Sequence, residues 1–287
     1  MNDFSPNVVR TSFLKQDNPP KTSFDAGQIY AEEKMKTTPT RATVLVSVAV
    51  TAIIICSGYA KANHPRTFGV DFTDCVESIG VTLVSTAGAR LYVPHQFILA
   101  GEGQPVTPLV VRTSQCSNIA VAGHAPMAGT IIQIGAVIVP PDFTGDINNY
   151  TIWYSTSNPK LATQLRKVGV DAQLVPVIDY DYQSPNNSLT VRVPAPFEPV
   201  MTLSGNVFPS ANAAGSFTAN WWQQTKTGIV KMSTNVPVIK IGGADLTLTT
   251  EGTDPLAQLL GGSSDGFPII QQFNTFAAAS MQVNVND

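Results

Sequence analysis

Residues 130–169 read TIIQIGAVIVPPDFTGDINNYTIWYSTSNPKLATQLRKVG, and the order of signals within them decides the fold class. The first ten are mostly Ile, Val and other apolar residues, and Pro140 and Pro141 end the run abruptly, so 130–139 reads as a strand. Asp142 to Asn148 supply turn residues, and 149–156 reads as a second strand rich in β-branched and aromatic side chains. A helix follows. Asn158 is placed to cap it, Pro159 opens its first turn, Leu161, Leu165 and Val168 share one face, and Gly169 ends it.

Outward from this unit the same grammar recurs. Short strands are expected at 106–113, 172–182, 189–193, 217–223, 229–233, 236–241 and 246–250, separated by turns. In 217–222 the alternation is clean, with Phe217, Ala219 and Trp221 on one face and Thr218, Asn220 and Trp222 on the other. A second helix is expected from Asp254 and Pro255 to Gly261, and a third over 86–92. Hydrophobic residues make up 43% of the chain and charged residues only 13%, with 21 Gly and 21 Pro, a balance that favours strands and tight loops over surface-charged helices. The expected class is mainly β (α+β): a curved or closed antiparallel β-barrel with two or three packing helices, preceded by an N-terminal apolar helix.

That apolar helix is the run from Ala42 to Cys56, ATVLVSVAVTAIIIC, flanked by Lys34, Lys36 and Arg41. Fifteen residues at about 1.5 Å each span roughly 22 Å, short of the ~30 Å hydrocarbon core, which favours a signal peptide over an anchor. Ala60 and Ala62 are the small residues a signal peptidase accepts, placing the cut between Ala62 and Asn63. Cys56 follows Ile55, which argues against lipoprotein processing. The expected organisation is a disordered leader at 1–41 whose true start could be Met35, a signal or anchor segment at 42–62, and one exported β-rich domain at 63–287. The expected location is secreted or periplasmic. The alternative is a single-pass anchor through residues 42–60, the only membrane contact the sequence suggests. After cleavage the remaining cysteines are Cys75 and Cys116, expected to bridge in an oxidising compartment; two buried thiols are the alternative.

Residues 63–287 carry ten Lys/Arg against fifteen Asp/Glu with no basic run, so no nucleic-acid partner is expected. The histidines His64, His95 and His124 have no metal-ligand spacing, and neither a metal nor a cofactor is expected. Gly262, Ser264 and Gly266 match G-x-S-x-G, but Phe267-Pro268 follows where a nucleophile elbow needs a helix. Asp142, Asp146 and Asn148 could hold a calcium ion, although the same residues serve Asx turns, the favoured reading. The strand aromatics are the more informative feature. In a curved sheet one face points inward, and Trp153, Tyr180 and Trp221 are the expected walls of a ligand pocket.

The segments LYVPHQF, VVRTSQC, GTIIQIGAVIVPPD and NNYTIWYSTSNPKLATQLRKVG, within residues 91–199, resemble in order of elements the acetoacetate decarboxylase-like superfamily. The resemblance implies a curved β-barrel around a small pocket. It also implies a Schiff-base lysine acting on a keto acid, but here the chain departs: VDAQLVPVIDYDY follows the helix, without the family's Gly-x-Pro-Lys type of segment. Lys160 and Lys167 fall on the helix, and Lys226, Lys231 and Lys240 match no family motif, so no catalytic residue carries over. The sequence thus points to an exported barrel that binds a small apolar or amphipathic molecule without catalysis. The alternatives are a lyase or decarboxylase-like enzyme on a small keto acid, and a membrane-anchored structural or interaction protein. Mass measurement of the native protein should find a mature chain beginning at Asn63; one that retains Met35 or Met1 would establish the anchor instead.

Overall fold

The computed structural model describes residues 67–286. The expected leader, apolar helix and cleavage point between Ala62 and Asn63 lie outside these residues. The chain runs β1 (Phe68–Ser85), α1 (Thr86–Arg90), β2 (Val106–Val121), β3 (Met127–Val137), β4 (Ile147–Thr156), α2 (Pro159–Lys167) and β5 (Ala172–Leu174). It continues through β6 (Asp179–Gln183), β7 (Ser188–Val193), β8 (Met201–Phe208), β9 (Phe217–Thr225), β10 (Gly228–Val236) and β11 (Lys240–Thr250). α3 (Pro255–Leu260), β12 (Ser264–Asp265) and β13 (Ile270–Asn286) complete it.

Strands β1, β2, β3, β4, β9, β10 and β13 pair in that order, and β13 returns to pair with β1, closing a seven-stranded barrel. The expected barrel with packing helices is therefore present. Its neighbours are antiparallel except β4 and β9, which run parallel through Ile147 to Tyr150 and Ala219 to Trp222. At its first residues β13 leaves β10 and pairs with β11 instead, which carries a second layer in the order β11, β8, β7, β6.

Two apolar cores result. Inside the barrel, Val70, Phe72, Ile119, Met232, Met281 and Val283 pack with Leu161, Leu165 and Val168 of α2. Outside it, Val111, Ile132, Ile134 and Val84 meet Leu189, Val191, Leu203 and Leu248 of the second layer, with Leu256 and Leu259 of α3. The helix caps are those the sequence announces: Asn158 Oδ1 accepts from the backbone N–H of Lys160 and Leu161, and the Asp254 side chain accepts from that of Leu256.

Several expected strands differ, each for a local reason. Residues 172–182 are not one strand, because Pro176 interrupts them and β5 and β6 belong to different layers. Residues 236–241 split likewise: Val236 ends β10, Pro237 intervenes, and Lys240 begins β11. In β1 and β13 the alternation is masked by polar residues facing inward, and β1, β8, β12 and β13 are additional to the strands expected. Within β4, Trp153 pairs with Ile134 while Thr151 pairs with Gly135, so Ile152 is an extra residue, a bulge that turns Tyr154 inward and Trp153 outward.

Cys75 and Cys116 face each other across β1 and β2 and form a disulfide, with Cα atoms 4.1 Å apart. Cross-linking positions 41 apart limits the unfolded chain, and on the chain-entropy model contributes about 4 kcal/mol. Replacing both cysteines with Ala should lower the urea midpoint by a stability difference of that order. Alkylating reagent should label Cys75 and Cys116 only after reduction; labelling of both without reductant would contradict the bond.

Candidate functional site

The inward faces of the barrel strands leave one cavity of about 250 Å³ above the disulfide layer. Its upper walls are mainly apolar, with Ile79, Val81, Val110, Ile147, Phe217 and Val236 prominent, and Asp146 and Thr234 also line it. Its deep end is charged. Glu77 on β1 and Arg112 on β2 form an ion pair, Arg112 Nε donating to Glu77 Oε2 at 2.5 Å, with side chains 7% and 11% exposed respectively. Arg112 Nη1 donates to Gln133 Oε1 at 2.6 Å, and Asn274 Nδ2 donates to Glu77 Oε1 at 3.4 Å. Arg112 Nη2 makes no hydrogen bond among the described residues.

Around this pair the protein leaves hydrogen-bonding capacity unused. Gln133 Nε2, Asn274 Oδ1, Asn149 Oδ1 and Trp221 Nε1 are buried without a partner in the protein. Such atoms are uncommon in folded proteins; Asn149 and Trp221 line the cavity, and Gln133 and Asn274 hydrogen-bond the ion pair. Tyr154, fully buried in the same interior, has its phenol pushed above the ordinary range by burial, against a smaller opposing effect of Arg112.

Of the three expected wall residues, Trp221 lines the cavity. Gly135 makes room for it: a Cβ there would stand 2.2 Å from the Tyr150 carbonyl oxygen and 2.9 Å from the Trp221 ring. Trp153, turned out by the bulge, packs against Tyr92 with ring centroids 5.2 Å apart. Tyr180, in the second layer, reaches the outside of the barrel wall, where its hydroxyl donates to the Val76 carbonyl at 3.5 Å. The three therefore share no site. Glu77 lies in residues 68–80, where no strand is expected from the sequence, although Ile79, Val81 and Leu83 alternate and Glu77 continues their face; Arg112 lies in the expected strand 106–113, where nothing local marks it as facing inward.

The other sequence candidates have structural partners. Asp142 accepts from the Thr144 backbone N–H and hydroxyl, and from Lys231 Nζ. Burial works against the charged form of Asp142, but the Lys231 and Thr144 hydrogen bonds hold its pKa below the ordinary value. Asp146 accepts from the Thr218 N–H, and Asn148 accepts from Trp222 Nε1, so these side chains tie loops together. Among the described residues no cluster suited to a metal ion occurs, and His95 and His124 are exposed. Ser264 lies in β12, paired with β11 and not before a helix.

Lysine is absent from the cavity lining. Lys231 sits on the outer face of β10, 5.0 Å from the Trp222 ring centre, and Lys160 Nζ donates to the Ala125 carbonyl. Lys240 lines a separate surface cleft with Pro237 and Phe276.

No family model matches the chain, and no curated protein sequence matches it. Among solved structures it superposes on an acetoacetate decarboxylase with a TM-score of 0.50 at 10% identity, over 75% of this chain and 87% of that one. The fold resembles acetoacetate decarboxylase. The acetoacetate decarboxylase of Legionella pneumophila subsp. pneumophila gives a TM-score of 0.49 at 10% identity, over 84% of this chain and 98% of that one. The enduracididine biosynthesis enzyme MppR complexed with pyruvate gives 0.46 at 12% identity, over 84% and 96%. At such identities the likeness is one of fold.

A buried ion pair deprived of one partner leaves an uncompensated charge, at a cost of about 3 kcal/mol or more. Glu77→Ala should therefore lower stability by about that much, and Arg112→Met likewise. The double variant should lose clearly less than the sum. A urea double-mutant cycle measures the coupling, and additive losses would show that the pair is not closed in solution.

Proposed function

We propose that the domain works outside the cytoplasm as a receptor for a small amphipathic molecule, taken polar end first into the barrel, and that it does so without catalysing a reaction. The observation that carries this reading is the gradient within the cavity: mainly apolar walls above, with Asp146 and Thr234 among them, and below them Arg112, whose Nη2 has no hydrogen bond among the described residues, beside Glu77. A buried ion pair is seldom better for stability than well-packed apolar side chains, so its position at the end of an open cavity favours a role in recognition. A carboxyl, carbonyl or hydroxyl oxygen can accept from Arg112, while apolar atoms meet Ile79, Val110 and Phe217. The volume equals that of about eight waters, which limits the enclosed part of the ligand to roughly eight to ten non-hydrogen atoms. Location outside the cytoplasm is supported by the disulfide and by the apolar run at residues 42–56. No helix among the described residues is long and apolar enough to cross a membrane.

The lyase alternative draws on the fold likeness to acetoacetate decarboxylase. A Schiff base needs an amine at the reacting carbonyl, and no lysine lines this cavity, which favours binding over that chemistry.

Titration of the purified domain with hexanoate, 2-hexanone and pyruvate, followed by tryptophan fluorescence, tests the proposal. Saturable quenching by hexanoate is expected, weakened about tenfold or more by Arg112→Gln, with a smaller change for the neutral ketone. Absence of saturable binding by any of them would reject the receptor reading. Borohydride treatment with pyruvate should leave the mass unchanged, and a trapped adduct would favour the lyase.

A further inference from the structure

The barrel strands end together around the mouth of the cavity. The end in question holds the last residues of β1, β3 and β10 and the first residues of β2, β4, β9 and β13, as their registers require. It is also where exposed large apolar side chains gather. Leu83, Val139, Ile269 and Ile270 lie at that end, 42%, 43%, 51% and 41% exposed.

Leu83 and Ile270 continue the inward faces of their strands. Leu83 follows Glu77, Ile79 and Val81 at alternate positions on β1, and Ile270 precedes Gln272 and Asn274 on β13. The lining that is charged at depth and apolar higher up thus carries on, still apolar, past the mouth and onto the surface. Scattered exposed apolar residues need no explanation, but a collar continuous with a cavity does. The cavity holds about eight to ten non-hydrogen atoms and the collar lies beyond them.

We infer that the ligand is a single-chain amphiphile longer than the cavity, its polar end at Arg112 and its hydrocarbon tail emerging through the mouth to lie on the collar. This rests on the receptor reading above and adds the ligand class. A tail beyond about eight carbons must leave the enclosed space, and the collar gives it an apolar track to follow. A compact ligand would end inside the cavity and leave the collar unused.

The test is a chain-length series of saturated carboxylates from six to twelve carbons, held below micelle-forming concentration, with binding followed by tryptophan fluorescence and calorimetry. Burying a methylene fully strengthens binding about fourfold, and half-burying it on an open collar about twofold. Affinity should therefore rise about sixtyfold from six to ten carbons, about sixteenfold of it by eight, and continue to rise to twelve. In the Leu83→Ser/Ile269→Ser variant this dependence on length should flatten beyond eight carbons, and the slope is the readout. A plateau in the native protein at the length that fills the cavity, or an unchanged slope in the variant, would overturn the inference while leaving the receptor reading standing. If no carboxylate of any length binds, both fail. Collar-dependent sedimentation with phosphatidylcholine vesicles, without a chain-length gain for the monomers, would assign the collar to a membrane surface and overturn the inference as well.

Discussion

One pairing constraint organises the molecule: β13 has to satisfy three neighbours. It lies against β1 along nearly its whole length, so on its other edge β10 and β11 must divide it between them. Its later residues, from Ser280 on, pair with β10 and close the barrel; those from Gln272 to Thr275 pair with β11 and begin the second layer. Where the change occurs, the wall between β10 and β13 is no longer held by a continuous ladder. Val236 and Ile270, on the two sides of this divergence, both line the cavity. The opening into the barrel and the second layer outside it are thus consequences of the same divided strand.

Closure at the other end has a different origin. β4 ends at Thr156 and Asn158, two residues on, caps α2, which brings Leu161, Leu165 and Val168 onto the interior core. A seven-stranded barrel can be filled by its own side chains. Below the disulfide this one is filled, with Phe72, Ile119, Met232 and Met281 in contact. Above it the inward positions change character, and Glu77, Arg112, Gln133, Asn149 and Asn274 replace hydrocarbon. Polar groups with rigid hydrogen-bond geometry interdigitate less completely than Leu or Ile, and the space they leave is the cavity.

The class of fold was legible in the sequence because alternation and helix capping are local signals. Asn158-Pro159 and Asp254-Pro255 name their helices without any tertiary context. The site was much less legible. Alternation finds a strand by its contrast between faces, and β1 and β13 lose that contrast where Glu77 and Asn274 point inward among apolar neighbours. Two residues of the candidate site, Glu77 and Asn274, thus help to hide the strands that carry them, whereas Arg112, Gln133 and Asn149 lie on strands the sequence does announce. Trp153 shows a second limit. Counted from Asn149 it shares the inward face, and only the extra residue Ile152, which no composition or turn signal marks, sends it outside. Tyr180 depends on which layer its strand joins, and Pro176 indicates a break without indicating the destination.

The disulfide matters to the site through register as much as through stability. Cys75 and Cys116 are directly opposed, which sets Glu77 opposite Ser114 and Ile79 opposite Arg112. Glu77 and Arg112 are thus diagonal neighbours on one face, within reach of each other. Slippage by a single residue between β1 and β2 would turn one partner of the ion pair out of the barrel, since successive side chains point to opposite faces. Polar residues facing inward weaken the ordinary hydrophobic specification of register in this part of β1. A covalent bond two residues away restores it, and it does so at the boundary between the filled half of the barrel and the open one.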